Sequence, residues 1–166
     1  ALQSRHPLVR VDENVLFEKK SQRGRGSKAE FSEKTARMVV SGGASFDDSL
    51  SRVSLVSSSI DIDTRSGSFR AWGGVRHTQK GGIPGAPFGT AGSDLLATSR
   101  QVIHEAPLRK TRYLDRAVLR AGSDEMRAMS IETVESPTGA QITAETDVEI
   151  LVAAGATFFF FNDTAT

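Results

Sequence analysis

The chain predicts an all-β fold of stacked antiparallel hairpins, and two observations carry that prediction. Residues 57–78 and 128–150 repeat one pattern. Each runs from a Ser-Ile-acid strand (Ser59-Ile60-Asp61, Ser130-Ile131-Glu132) through a turn with Gly67 or Gly139. Each then enters a strand holding Phe69, Ala71 and Val75, or Ile142, Ala144 and Val148. A repeat of this size is a supersecondary unit that buries its apolar face by stacking on its neighbours. The second observation is negative: residues 100–129 carry no sustained 3.6-residue apolar stripe, so a long helix is excluded there and only short turns at Leu95-Leu96 and 124–129 remain.

Weaker copies keep the register. Gly43-Ala44-Ser45-Phe46 and Arg116-Ala117-Val118-Leu119 stand where Gly74-Val75 and Asp147-Val148 stand. By subtraction of residue numbers the steps Gly43 to Gly74, Gly74 to Arg116 and Arg116 to Asp147 are 31, 42 and 31. The long step contains residues 80–92, KGGIPGAPFGTAG, which read as an inserted loop because Pro lacks a ladder donor and Gly is entropically poor in strands.

Taken in order, Val9 and Val11 alternate with polar neighbours in a first strand, and Asp12-Glu13-Asn14 supply a turn. Residues 19–28, KKSQRGRGSK, read as a basic loop. A strand over 37–40 reaches a bend at Ser41-Gly42-Gly43 and resumes at 44–46. Along 52–63 the alternation slips once, with Val53 and Leu55 on one side and Val56, Ile60 and Ile62 on the other, as a bulge produces. Phe69, Ala71, Gly73 and Val75 then share a face. Last, Ile142, Ala144, Thr146, Val148, Ile150 and Val152 face one way along a single half-buried strand. The expected organisation is a partial strand and basic loop over 1–28, ending a preceding repeat, a β domain over 29–152, and a tail over 153–166. Residues 158–166, FFFFNDTAT, resemble read-through into adapter sequence rather than native protein.

The 166 residues, 38% hydrophobic, suffice for one domain with a core. A net charge of +1 gives no global attraction to nucleic acid or anionic membranes, and the absence of cysteine removes disulfides, thiol nucleophiles and Cys-based zinc sites. The longest apolar stretch, residues 150–161, is shorter than a membrane-spanning helix needs.

No reactive centre is legible. His6, His77 and His104 lack metal-ligand spacing, and there is no Walker loop, Gly-x-Ser-x-Gly elbow or His-Glu-x-x-His, so no cofactor, metal or catalysis is expected. Asp61 and Asp63, Asp47-Asp48 and Asp124-Glu125 form acidic pairs. An acid recurs at equivalent repeat positions, Asp61 and Glu132, which marks a solvent face. His77 is expected at a rim or half-buried in a structural role, and Trp72, opposite in parity to Phe69, at the surface or under a loop. The Arg-Gly-Arg-Gly run hints at RNA contact, but no aromatic interleaves residues 19–28 to stack a base, so no nucleic-acid partner is expected.

The tyrosine-led strand Tyr113-Leu114-Asp115-Arg116-Ala117, then Ala128-Met129-Ser130-Ile131, then Ala144-Glu145-Thr146-Asp147-Val148, resembles the OstA-like lipopolysaccharide-transport family, which includes LptA and the N-terminal domain of LptD. Ala71-Trp72-Gly73-Gly74-Val75 fits the family's last element, whereas 144–148 lacks its glycine and Asp115 stands where glycine is preferred. The resemblance implies a twisted, half-open β-jellyroll in the periplasm of a Gram-negative bacterium. It also implies acyl chains of lipopolysaccharide in an apolar β groove, and jellyrolls joined end to end by self-association. The inner face would be lined by Phe69, Ala71, Val75, Ile131, Ile142, Ala144, Val148 and Ile150, each buried methylene of a lipid contributing about 0.8 kcal/mol. The rival reading is a structural β-repeat of a surface protein, in which the same side chains fill a closed core and bind no lipid.

Overall fold

The structure, a computed structural model, describes residues 8–86, 88–90 and 92–152. They form one antiparallel sheet of ten strands: β1 Leu8–Lys19, β2 Gln22–Ser32, β3 Arg37–Asp48, β4 Val53–Asp63, β5 Phe69–Gln79, β6 Leu95–Glu105, β7 Lys110–Ala121, β8 Asp124–Ser136, β9 Gly139–Glu145 and β10 Glu149–Leu151. Each strand pairs with the next as far as β8, along which both β9 and β10 then pair. The expected all-β architecture of stacked hairpins is what the chain adopts. The turns expected at Leu95-Leu96 and 124–129 are strand instead, lying in β6 and β8. The helical geometry among the described residues is one 3-10 turn, Ala106–Leu108.

The seven pairings from β1–β2 to β7–β8 each carry one register shift, and the shifts line up across the sheet: Asp12/Val15, Arg25/Lys28, Ser41/Ala44, Val56/Ser59, Trp72/Val75, Thr98/Gln101 and Leu114/Ala117. Strands β1, β3, β5 and β7 cross this line on two successive residues of positive φ: Glu13-Asn14, Gly42-Gly43, Gly73-Gly74 and Asp115-Arg116. Thr146-Asp147, between β9 and β10, make a fifth pair. Such a pair bends a strand sharply while pairing resumes beyond it, and glycine adopts it without steric cost. At Gly73 even a methyl would fail, since a Cβ there would lie 2.5 Å from Ser58 Cβ. Serines satisfy the carbonyls that the bends release. Ser27 Oγ donates to Gly42 O at 2.9 Å, Ser58 Oγ to Gly73 O at 2.7 Å, and Ser57 and Ser99 to the carbonyls two residues on.

The sheet folds along this line into two leaves. On the first leaf one cross-strand row reads Val11, Ala29, Val40, Ile60, Ala71, Val102, Tyr113, Ile131, Ala144. On the second, the row next to the bend is small at Gly26, Ala44, Ser57, Ser99, Ala117 and Ala128, which lets the leaves converge there. The next row widens to Phe17, Gly24, Phe46, Leu55, His77, Ala97, Leu119, Met126 and Ile150. A hydrogen bond of 2.7 Å joins His77 Nδ1, on the second leaf, to the Tyr113 hydroxyl on the first, so the two inner faces meet.

Four local expectations are corrected by these facts. Asp12-Glu13-Asn14 form a bulge inside β1 rather than a turn. Residues 19–28 are no loop: the chain turns at Lys20-Ser21 and continues as β2, which runs past position 28 to Ser32. The glycines of Arg-Gly-Arg-Gly have packing roles, because a Cβ on Gly24 would sit 1.9 Å from the Phe17 ring and one on Gly26 2.5 Å from Val40 Cγ1. The slip in β4 follows Ser57, so Leu55, Ser57, Ile60 and Ile62 all face inward while Val56 is exposed. The last strand is broken at Thr146-Asp147 into β9 and β10. Expectations for residues 1–7 and 153–166, including His6 and the read-through segment 158–166, lie outside the described residues.

Candidate functional site

The interior between the leaves is where the sequence-predicted lining residues gather, and it is not uniform. Ala71, Val75 and Ile131 are fully buried, wedged among Leu55, Ile60, Val102, Tyr113 and Leu119. Phe69, Ile142, Ala144 and Ile150 are half-buried against that cluster. Val148 follows the left-handed Thr146-Asp147 pair, just as buried Ala44, Val75 and Ala117 follow theirs, but is 41% exposed because β10 is the last strand of the described sheet. Gly73, expected on the inner face, is exposed at the bend. Ala71, with none of its surface exposed, lies within the packed core cluster.

Space remains toward the open ends of the leaves. In the N-terminal half a cavity of about 310 Å³ has Phe17, Met38, Phe46 and Ile62 at its base and the 19–22 and 63–67 turns on either side. In the C-terminal half the corresponding gap is occupied by the chain itself. The loop between β5 and β6 inserts Ile83 and Phe88, both buried, and leaves about 300 Å³ beside Leu95, Ala121 and Ile142. Asp124 holds this loop by accepting a 2.8 Å hydrogen bond from Gly89 N–H, and Gly81 N–H donates to Asp94 at 2.9 Å. A larger cavity, about 600 Å³, lies on the outside of the second leaf. It mixes Arg23, Arg52 and Lys80 with Glu18, Asp47 and Asp48, so cations and carboxylates are both present around it.

Sequence reasoning missed Phe17, Met38, Phe46, Ile83 and Phe88. The weak copy at Gly43-Ala44-Ser45-Phe46 was the available signal for Phe46. Nothing periodic marks Ile83 or Phe88.

A polar seam crosses the interior. His77, expected at a rim or half-buried, is only 5% exposed. Burial, with a smaller contribution from the charge of His104, pushes its pKa down to about 4. Its Nε2 has no hydrogen-bond partner among the described residues. His104 stacks on Phe69 with ring centroids 5.0 Å apart, shares a 3.0 Å hydrogen bond with Thr111 Oγ1, and is lowered by burial against the opposing pull of Glu105. Burial likewise raises Tyr113.

The acidic pairs are engaged in structure. Asp61 pairs with Arg37, and Glu125 with Arg120 and Arg127. Asp48 accepts from Leu50 N–H, and Asp63 from the N–H groups of Arg65 and Ser66. Asp47 accepts from Ser54 Oγ. Among the described residues no group of three or more His, Asp or Glu stands where it could hold a metal ion. Trp72, 38% exposed, lies on the outer face.

This geometry, a bent sheet with an apolar interior open at one end, has a counterpart among solved structures. The fold is similar to that of LptH, the LptA-homologous periplasmic component of the conserved lipopolysaccharide transport device from Pseudomonas aeruginosa. The TM-score is 0.65 at 12% identity, over 80% of this chain and 94% of that one. The expected half-open jellyroll is therefore the fold of the chain. No family model and no curated protein matches the sequence.

Proposed function

We propose that the chain is a non-enzymatic lipid-carrier or bridge domain of the periplasm that holds acyl chains of lipopolysaccharide between its two leaves. The observation that carries this reading is the apolar cavity left open between the leaf ends at Phe17, Met38, Phe46 and Ile62, in a fold shared with a periplasmic lipopolysaccharide-transport component. Phe69 pairs directly with Ile62 and extends that floor inward. Ala71, Val75 and Ile131 form the packed wall behind it, and Ile142, Ala144, Val148 and Ile150 continue the lining to the far edge. Photocrosslinkers are placed singly at Phe69, Val75, Ile142 and Val148; capture of lipopolysaccharide from any one of them supports the carrier, and Phe69, beside the open cavity, is where it is expected first.

Full burial of Ala71, Val75 and Ile131 favours a second reading, a structural β-repeat with a closed core. Silence at all four positions would establish that reading and end the first.

End-to-end assembly belongs to the same proposal. Neither the outer edge of β1 nor that of β9 and β10 has a partner strand among the described residues, and an unpaired edge offers backbone donors and acceptors to a strand of another copy. Concentration-dependent self-association is expected in sedimentation velocity. A strictly monomeric profile at high concentration would remove it.

A further inference from the structure

The two halves of the interior differ in who occupies them. In the C-terminal half the chain's own loop crosses the gap between the leaves, starting at the end of β5 on the second leaf and resting on the β8–β9 turn of the first, and the space of about 300 Å³ left beside it is lined by no charged side chain. Its Gly85 lies so close to Gly139 that an added Cβ would be 2.6 Å from Gly139 Cα. Ile83 and Phe88 take the apolar space that a ligand would use. In the N-terminal half no such loop is found among the described residues, where the 19–22 and 63–67 turns stop on either side of the cavity.

Charge at that mouth is mainly positive, three cations to one carboxylate. Lys19, Lys20 and Arg65 stand around it, and among the described residues none of them makes an ion pair within 4.0 Å. The one carboxylate lining it, Asp63, is tied into its own turn by accepting from Arg65 N–H at 2.8 Å and Ser66 N–H at 3.1 Å. An apolar floor beneath three cations suits a ligand with a greasy tail and a negative head.

We infer that the interior takes its ligand at the N-terminal half alone, and that this ligand is an anionic amphiphile. Its alkyl chain lies against Phe17, Met38, Phe46 and Ile62, and its head is held by Lys19, Lys20 and Arg65. This rests on the lipid-binding reading above and adds where the lipid sits and which head group it carries.

The chain supplies its own reporters. Its three methionines are Met38 on the cavity floor, Met126 in the core of the C-terminal half, and Met129 exposed on the outer face. With methyl-labelled methionine, titration of the full chain with dodecanoate or dodecyl phosphate below micelle formation is expected to shift the Met38 resonance saturably and leave Met126 and Met129 in place. Binding of either probe supports the inference, and their ranking tells a carboxylate head from a phosphate one. Dodecyl maltoside, with the same tail and no charge, is expected to bind on the order of tenfold more weakly. Lys19→Glu with Lys20→Glu, both exposed, should erase that difference. Movement of Met126 alone, equal affinity for neutral and anionic probes, or no shift at Met38 overturns the inference. If Met38 stays silent while Phe69 still crosslinks lipopolysaccharide, only the placement fails. Silence in both experiments removes the carrier reading as well.

Discussion

Tyr113→Ala is expected to destabilise the fold by about 4 kcal/mol, in the range for deleting a large buried aromatic side chain. Tyr113 is 1% exposed and is the largest of the fully buried side chains. Its neighbours cannot close the space, because they come from both leaves: Val102 and Ile131 flank it on the first, and His77 reaches it from the second with ring centroids 5.8 Å apart. The loss therefore adds a cavity to the lost transfer energy. Tyr113→Phe isolates the polar part. It keeps the volume but takes the partner from His77 Nδ1, whose other nitrogen already has none, and should cost about 1–2 kcal/mol. Urea unfolding monitored by circular dichroism reads both values. The Tyr113→Phe and His77→Leu effects should be strongly non-additive, since they remove the same hydrogen bond. A Tyr113→Ala variant within 1 kcal/mol of the parent would mean that the leaves do not pack through this pair.

The bend line explains why the repeat was readable and why its edges were not. The steps of 31, 42 and 31 residues connect Gly43, Gly74, Arg116 and Asp147, each the second residue of a left-handed pair. A backbone conformation that side chains disfavour leaves a trace in sequence where glycine fills it, as at Gly42-Gly43 and Gly73-Gly74. The trace fades where Asp115-Arg116 or Thr146-Asp147 adopt the same conformation, which is why the last strand read as continuous. Around such a line the alternation of inner and outer side chains shifts, and only pairing with the neighbouring strands fixes where. Val56 was misassigned for that reason.

Long-range packing hid the rest. Gly24 reads as a flexible residue in a basic run, yet its missing side chain is where the Phe17 ring rests, across a strand pair that local composition cannot reveal. The insertion at 80–92 was legible as a loop. That Ile83 and Phe88 turn inward depends on a gap between two leaves that exists only once the sheet has folded. His77 alternates correctly with Phe69 and Val75, but its depth is set by Tyr113 from a strand 36 positions away.

That depth fixes the behaviour of the protein in acid. His77 takes up a proton in the unfolded chain near pH 6.5, whereas in the folded chain burial delays this to about pH 4. A charged ring would present an Nε2–H with no acceptor among the described residues. Between these two values the unfolded state binds the extra proton, so stability rises with pH across the window. The contribution is complete above about pH 6.5 and is lost as the pH falls to about 4, a change on the order of 3 kcal/mol at about 1.4 kcal/mol per pH unit. His104, also lowered by burial, acts in the same direction over the upper part of the window. The carboxylates held low by their hydrogen bonds, Asp48, Asp63 and Glu125, add their losses at more acid pH, as they protonate. Urea midpoints measured from pH 7.5 to 4.5 should therefore hold level to about pH 6.5 and fall below it, and His77→Leu should flatten most of that slope. A parent protein equally stable at pH 7 and pH 5 would show that His77 is hydrated, and with it that the leaves stand apart where the hydrogen bond to Tyr113 now joins them.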